Sequence, residues 1–150
     1  MAVLAAMGPL MAPVAAVAQA PDAVLRRETL GAMVSRILPG DGVTPSGEVV
    51  AIVSEIDTIL VKSTDWSEIT NNVTRWLNDG GPEFATRPIE QQDAVLAWMQ
   101  DAGTQTPQGY YLALVRRLAI ELHYSQPEAR MGMALASAPQ PDGYQPPWTR

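Results

Sequence analysis

The chain has 150 residues, of which 47% are hydrophobic and 17% charged, with one histidine and no cysteine. Without cysteine it forms no disulfide and supplies no thiolate ligand, and a single histidine cannot make a two-histidine metal site. Sixteen acidic and ten basic residues give a net charge of −6, which argues against nucleic acid as a partner. The composition is that of a small acidic domain with few groups for holding a cofactor.

Residues 1–20, MAVLAAMGPLMAPVAAVAQA, contain no charged side chain, so the net charge belongs to residues 21–150. This alanine-rich stretch ends in small residues, a pattern typical of a cleavable export signal. A membrane-spanning leader is the alternative, since about 20 apolar residues can just cross a bilayer, but Gly8, Pro9 and Pro13 interrupt the stretch. No Lys or Arg precedes it, and we expect that the signal has lost its basic start.

From residue 22 onward the apolar residues recur with helical spacing. The first helix stops at Pro39-Gly40, and a second over 49–60 is rich in β-branched residues whose spacing is helical rather than alternating. Asp65 and Glu68 have the spacing of a capping box, which predicts that Asp65 caps the third helix. The apolar positions that define these three helices include Leu30, Met33, Val34, Ile37, Ile52, Ile56, Leu60, Trp66, Ile69, Val73 and Leu77.

Proline positions mark the starts of the later helices. Pro88 is expected at the first turn of the fourth helix and Thr106-Pro107 at the start of the fifth, which is the most strongly apolar. Ser125 and Glu128 form a second capping-box pattern, which predicts a short sixth helix running through Met133. Four prolines in 139–150 predict an extended tail.

The predicted fold is therefore all-α. A single bundle of five helices plus a short sixth occupies 21–138, and an extended Pro-rich C-terminal arm occupies 139–150. A domain of this size buries roughly two-thirds of its unfolded surface, so one core can form without a metal ion or a disulfide.

His123 is the chain's one histidine and lies near the end of the fifth predicted helix. A histidine titrates near neutral pH and could act as a general base, but the sequence shows no partner group for it. The favoured interpretation is a residue placed where the helix dipole suits a positive charge, or a hydrogen-bonded interface residue.

The acidic residues give no catalytic pair either. Glu90, Asp93 and Asp101 are expected to form a solvated helix face. One arginine of Arg116-Arg117 is expected to pair with Glu121, or to contact a partner protein. The sequence thus predicts a chain with no active site of its own.

Three runs in this order, ILPGDGVTPSG at 37–47, LHYSQP at 122–127 and PDGY at 141–144, resemble the small subunit (subunit 3, or gamma) of the gluconate 2-dehydrogenase family. The resemblance covers about Leu25 to Tyr144. It implies a subunit without catalytic residues that accompanies a large FAD-containing dehydrogenase of the glucose–methanol–choline type, often with a cytochrome c subunit. Such small subunits typically carry a twin-arginine export signal for the folded, flavin-loaded partner, whereas no Arg-Arg precedes the apolar stretch here.

The resulting expectation is a periplasmic, non-catalytic accessory subunit of a sugar or polyol dehydrogenase. It binds no cofactor itself, since FAD belongs to the large subunit, and it meets a membrane only through the complex or an uncleaved leader. A free-standing helical binding protein and an independent enzyme using His123 are the alternatives. The residues expected at the partner interface are Trp76, His123, Tyr124, Met131, Met133, Tyr144 and Trp148.

Overall fold

A computed structural model describes residues 21–40, 52–127 and 129, and these ranges contain five α-helices, one 3₁₀ turn and no strand. The elements are α1 (Ala23–Ile37), α2 (Val53–Lys62), α3 (Thr64–Asn78), the 3₁₀ turn (Phe84–Thr86), α4 (Ile89–Ala102) and α5 (Pro107–Ser125). The prediction of an all-α bundle is confirmed. The leader 1–20, the turn at 41–47, the short sixth helix and the arm 139–150 lie outside the described residues.

The structure confirms most of the predicted helix starts. Asp22 caps α1 by accepting a hydrogen bond from the Val24 amide at 2.9 Å, and Thr106 caps α5 by accepting one from Gly109 at 3.1 Å. Each cap provides a hydrogen-bond acceptor for an amide of the first turn, which has no acceptor within the helix itself. Pro88 is the N-cap of α4, one residue before the first turn where it was expected.

The predicted capping role of Asp65 is wrong. A single residue with an extended backbone, Ser63, separates α2 from α3, and its carbonyl accepts a hydrogen bond from the Ser67 amide at 2.8 Å. The helix therefore begins two residues earlier than expected. Asp65 instead lies in the first turn, where its negative charge complements the helix dipole.

The core forms around α1, which contacts α2, α3, α4, α5 and the 3₁₀ turn. It combines the apolar stripes of the helices with Phe84, the single phenylalanine. The buried apolar residues are Leu30, Met33, Val34, Ile52, Ile56, Leu60, Val73, Leu77, Phe84, Met99, Tyr111, Leu112, Val115 and Ala119.

A buried carboxylate joins α2 to α1. The Asp57 side chain is 4% exposed, and Arg26 donates to it from Nε at 2.5 Å and from Nη2 at 3.3 Å, while Arg27 Nε donates at 3.0 Å. Burial alone would raise the pKa of Asp57, but the hydrogen bonds from the two arginines outweigh it and hold the pKa below its ordinary value. Asp57 is therefore ionised inside the bundle.

Asn78, the last residue of α3, ties three elements together. Its Nδ2 donates to Thr29 Oγ1 in α1 at 3.0 Å, and its Oδ1 accepts from the Phe84 amide at 2.8 Å. Arg87 Nη2 donates to the Leu77 carbonyl at 2.6 Å, which satisfies a backbone acceptor at the end of the helix. These bonds fix the link between α3 and α4 against α1.

Gly109 allows α5 to approach the end of α4 closely. A Cβ at this position would overlap the Gly103 carbonyl oxygen and would lie 2.9 Å from the Met99 oxygen. Both obstacles are backbone atoms, which cannot rotate away as a side chain can. Gly103, at the start of the turn, has φ +69°, which favours glycine.

We predict that Gly109→Ala lowers the free energy of unfolding by about 3 kcal/mol, because the added methyl group forces α4 and α5 apart. Gly31→Ala is the matched control, since Gly31 lies in the middle of α1 with no atom within 4 Å of its Cβ position. That variant should be neutral or gain up to about 1 kcal/mol. Urea titration of both variants measures the difference, and equal stabilities would contradict the prediction.

We also predict that Asp57→Asn lowers the free energy of unfolding by about 3 kcal/mol, because it leaves the largely buried Arg26 guanidinium without its counter-ion. Asp93→Asn is the control: it removes a two-bonded pair with Arg36 (2.8 and 2.9 Å) that is partly open to solvent, and should cost less than about 1 kcal/mol.

The Asp57 contribution also has a defined pH dependence. Because its folded pKa is below the unfolded value, the stability it adds is present above about pH 4 and is lost as pH falls through the folded pKa. Urea titrations at several acidic pH values should show a shallower loss of stability for Asp57→Asn than for the unmodified chain.

Candidate partner interface

Two tryptophans form a stacked pair on the outside of the bundle. Trp76 in α3 and Trp98 in α4 have ring centroids 5.3 Å apart and planes inclined by 29°, and they are 38% and 51% exposed. Trp76 was expected at the interface, whereas Trp98 was not. The sequence does indicate that Trp98 is exposed, because it is adjacent to the buried Met99 and lies outside the apolar side of α4.

Two neighbouring residues expected at the interface, His123 and Tyr124, are divided between the interior and the surface. His123 is only 1% exposed, because it lies one turn after the buried Ala119 on the inner side of α5. Tyr124 is half-exposed, and its ring meets the His123 ring edge-on with centroids 5.0 Å apart. A place for His123 on an interface does not fit this burial, whereas Tyr124 is available to a partner.

The histidine is also in an unfavourable environment for a charge. Its Nδ1 has no hydrogen-bond partner among the described residues, and burial lowers the pKa of the imidazole. His123 is therefore neutral near pH 7, and the enclosing side chains separate it from solvent. A general base needs to reach its substrate, and this position does not provide that access.

Three buried hydroxyls within the described ranges also lack a hydrogen-bond partner. Thr70 and Thr74 in α3 and Tyr111 in α5 each have an oxygen without a hydrogen-bond partner of ordinary geometry in the described part of the chain. Burial raises the pKa of the Tyr111 phenol far above its usual range, so it stays protonated. Like His123, these groups face the interior rather than a groove.

A groove of about 590 Å³ runs along α1. Its basic residues are already engaged: Arg27 with Asp57 and Arg36 with Asp93. Across the described helices, no group of three or more acidic or histidine side chains is placed to hold a metal ion. None of these helices is both long and apolar enough to cross a membrane.

The expected arginine pairing in α5 is present. Arg117 Nε donates to Glu121 at 2.9 Å, and Arg116 Nη2 donates to Gln100 of α4 at 2.8 Å. Glu90 and Asp101 are exposed. The remaining expected interface residues, Met131, Met133, Tyr144 and Trp148, lie outside the described residues, and their role stays a prediction.

Comparisons with protein-family models, with curated proteins and with solved structures give no match.

We predict that His123 makes the fold less stable in mild acid. Because its folded pKa is below the unfolded value of about 6.5, the unfolded chain binds more protons, and stability falls as pH drops through that value. Because a single proton is involved, the free energy of unfolding should change by at most about 1.4 kcal/mol per pH unit.

Thermal or urea unfolding between pH 7.5 and 5.5 measures this effect. The stability of His123→Leu should change less with pH than that of the unmodified chain. The stability of Gly31→Ala, which keeps the histidine, should change with pH in parallel with that of the unmodified chain. Identical slopes for His123→Leu and the unmodified chain would show that the histidine is not responsible.

Proposed function

We propose that this chain is a non-catalytic accessory subunit of a periplasmic, FAD-dependent sugar or polyol dehydrogenase complex. In this proposal it binds the flavoprotein large subunit and assists its export, folding and stability. The sequence resemblance at 37–47, 122–127 and 141–144 suggests the kind of partner. The observation that carries the binding role is the exposed Trp76–Trp98 pair.

Stacked tryptophans that are exposed to water are energetically unfavourable on the surface of a protein that acts alone. Each indole has a large apolar area that gains free energy when it is removed from water, and tryptophan is enriched among the residues that dominate binding interfaces. Stacking also restricts both rings before a partner arrives, so little side-chain freedom remains to be lost on binding. The pair therefore supports a docking surface that spans α3 and α4.

The placement of the titratable groups supports binding over catalysis. His123 and Tyr111, whose pKa values burial shifts, are enclosed by the helices. The arginines of α1 are paired with carboxylates. In the proposed complex FAD and the oxidation chemistry belong to the large subunit.

Affinity purification of the tagged chain from the cells that produce it tests the proposal. We expect a companion protein in fixed proportion, and FAD released from the purified complex by denaturation. A chain that purifies alone as a monomer would favour the free-standing binding protein instead, and a companion without flavin would also reject the proposal.

The Trp76→Ala, Trp98→Ala double variant should reduce recovery of that companion by at least about tenfold, as expected for residues at the centre of an interface. Val24→Ala is the control, because Val24 is an exposed apolar residue elsewhere on the surface. Circular dichroism should show both variants folded. Unchanged recovery with the double variant would remove the tryptophan pair from the interface.

A further inference from the structure

The outer side of α5 carries a second apolar surface, made by different residues from the tryptophan pair. Tyr110, Ala113, Arg117, Ile120 and Tyr124, called here the α5 stripe, follow one another at intervals of three and four residues. That spacing keeps them on one side of a helix, as in the seam of a coiled coil. Tyr110, Ile120 and Tyr124 are 41%, 42% and 42% exposed.

This arrangement is unusual because α5 already uses its opposite side for the core. Tyr111, Val115 and Ala119 are fully buried there. A surface helix normally has polar residues on the side that faces water. The outer side of α5 therefore presents apolar area that a partner could cover.

The stripe has both a shape and a length suited to a helical ligand. A depression of about 460 Å³ lies along its first half, lined by Thr104, Tyr110, Ala113, Leu114 and Arg117. From Tyr110 to Tyr124 the helix rises about 21 Å, or about four turns. A helix of similar length could lie along the stripe and place one side chain in the depression.

Arg117 lies at the middle of the stripe and determines which helix fits. Its guanidinium is exposed and bonds through Nε to Glu121, which leaves its Nη groups without a hydrogen bond among the described residues. A carboxylate from a partner could take two of these donors in the planar geometry that arginine favours.

A second copy of this chain in parallel orientation does not meet that requirement. In a parallel pair in register, Arg117 would face Arg117 of the copy. Like charges held together at an interface disfavour that pairing, and each copy also has a net charge of −6.

We propose that the α5 stripe binds an amphipathic helix of a partner protein, one with apolar residues at three- and four-residue intervals and a carboxylate opposite Arg117. This inference does not depend on the proposed dehydrogenase complex, because the stripe shares no residue with the tryptophan pair and a generic helical peptide can test it.

The test uses two labelled synthetic helical peptides of about 21 residues, long enough to hold helical structure. Both have leucine at three- and four-residue intervals, and they differ only in the central seam residue, Glu in one and Lys in the other. We expect the full-length chain to bind the Glu peptide at least about fivefold more tightly by fluorescence anisotropy. Arg117→Glu should reverse the preference.

Ile120→Ser should weaken both peptides, and Val61→Ser, at an exposed apolar position on α2, should change neither. Melting temperatures close to that of the unmodified chain confirm that the variants fold. Absence of binding, or equal binding of both peptides that Arg117→Glu does not alter, overturns the proposal. A dimer in light scattering that Ile120→Ser converts to a monomer also overturns it, because the stripe would then bind a second copy.

Discussion

The structure depends on the ionised Asp57 carboxylate that Arg26 and Arg27 hold inside the bundle. A buried charge is tolerated only with partners in good geometry, so the pair permits few alignments of α2 against α1. Removing the three charges from water offsets much of their attraction, so we expect the cluster to act more on the choice of helix arrangement than on net stability. This restriction matters beyond two helices, since α1 contacts every other helix and the 3₁₀ turn. Once α2 is placed on α1, the apolar stripe of α3 follows almost directly, because only Ser63 separates the two helices.

Close backbone packing and hydrogen bonds fix the positions of the end of α3, of α4 and of α5. Asn78 and Arg87 use side-chain bonds to hold the end of α3 and the segment before α4, and Gly109 lets α5 lie against the turn that ends α4. These contacts position the elements that carry both exposed apolar surfaces. The tryptophan pair needs α3 and α4 at a fixed separation, and the α5 stripe needs a straight helix held firmly along its inner side. Rigid support of this kind reduces the conformational freedom lost on binding.

Apolar periodicity was sufficient to predict all five described helices, including β-branched α2, because one buried side per helix imposes a repeat that is visible in sequence. The errors have equally local causes. Asp65 matched a capping box, but the extended backbone of Ser63 ended α2 and began α3 earlier. His123 follows Tyr111, Val115 and Ala119 at four-residue intervals, so the spacing indicates the inner side of α5, but the expectation of an interface role did not use this signal. The bond from Arg26 to Asp57 spans 31 positions, and the stacking of Trp98 on Trp76 joins two helices, so neither could be inferred from spacing along the chain. The stripe on α5 was missed because the apolar residues of that helix were interpreted only as core.

In the described helices, the buried titratable groups and the charged groups at the surface both suit binding better than catalysis. Groups that could take part in proton transfer, His123 and Tyr111, are enclosed and held neutral by burial. Groups that carry charge at the surface, such as Arg117 with Glu121, are ordinary solvated pairs, and the charge they bring is suited to selecting a partner rather than activating a substrate. Solvent also reaches aromatic and aliphatic area on α3, α4 and α5. A net charge of −6 can keep such a surface soluble until it is covered. The physical properties of the accessible surface in the described helices therefore support the proposed recognition of another protein.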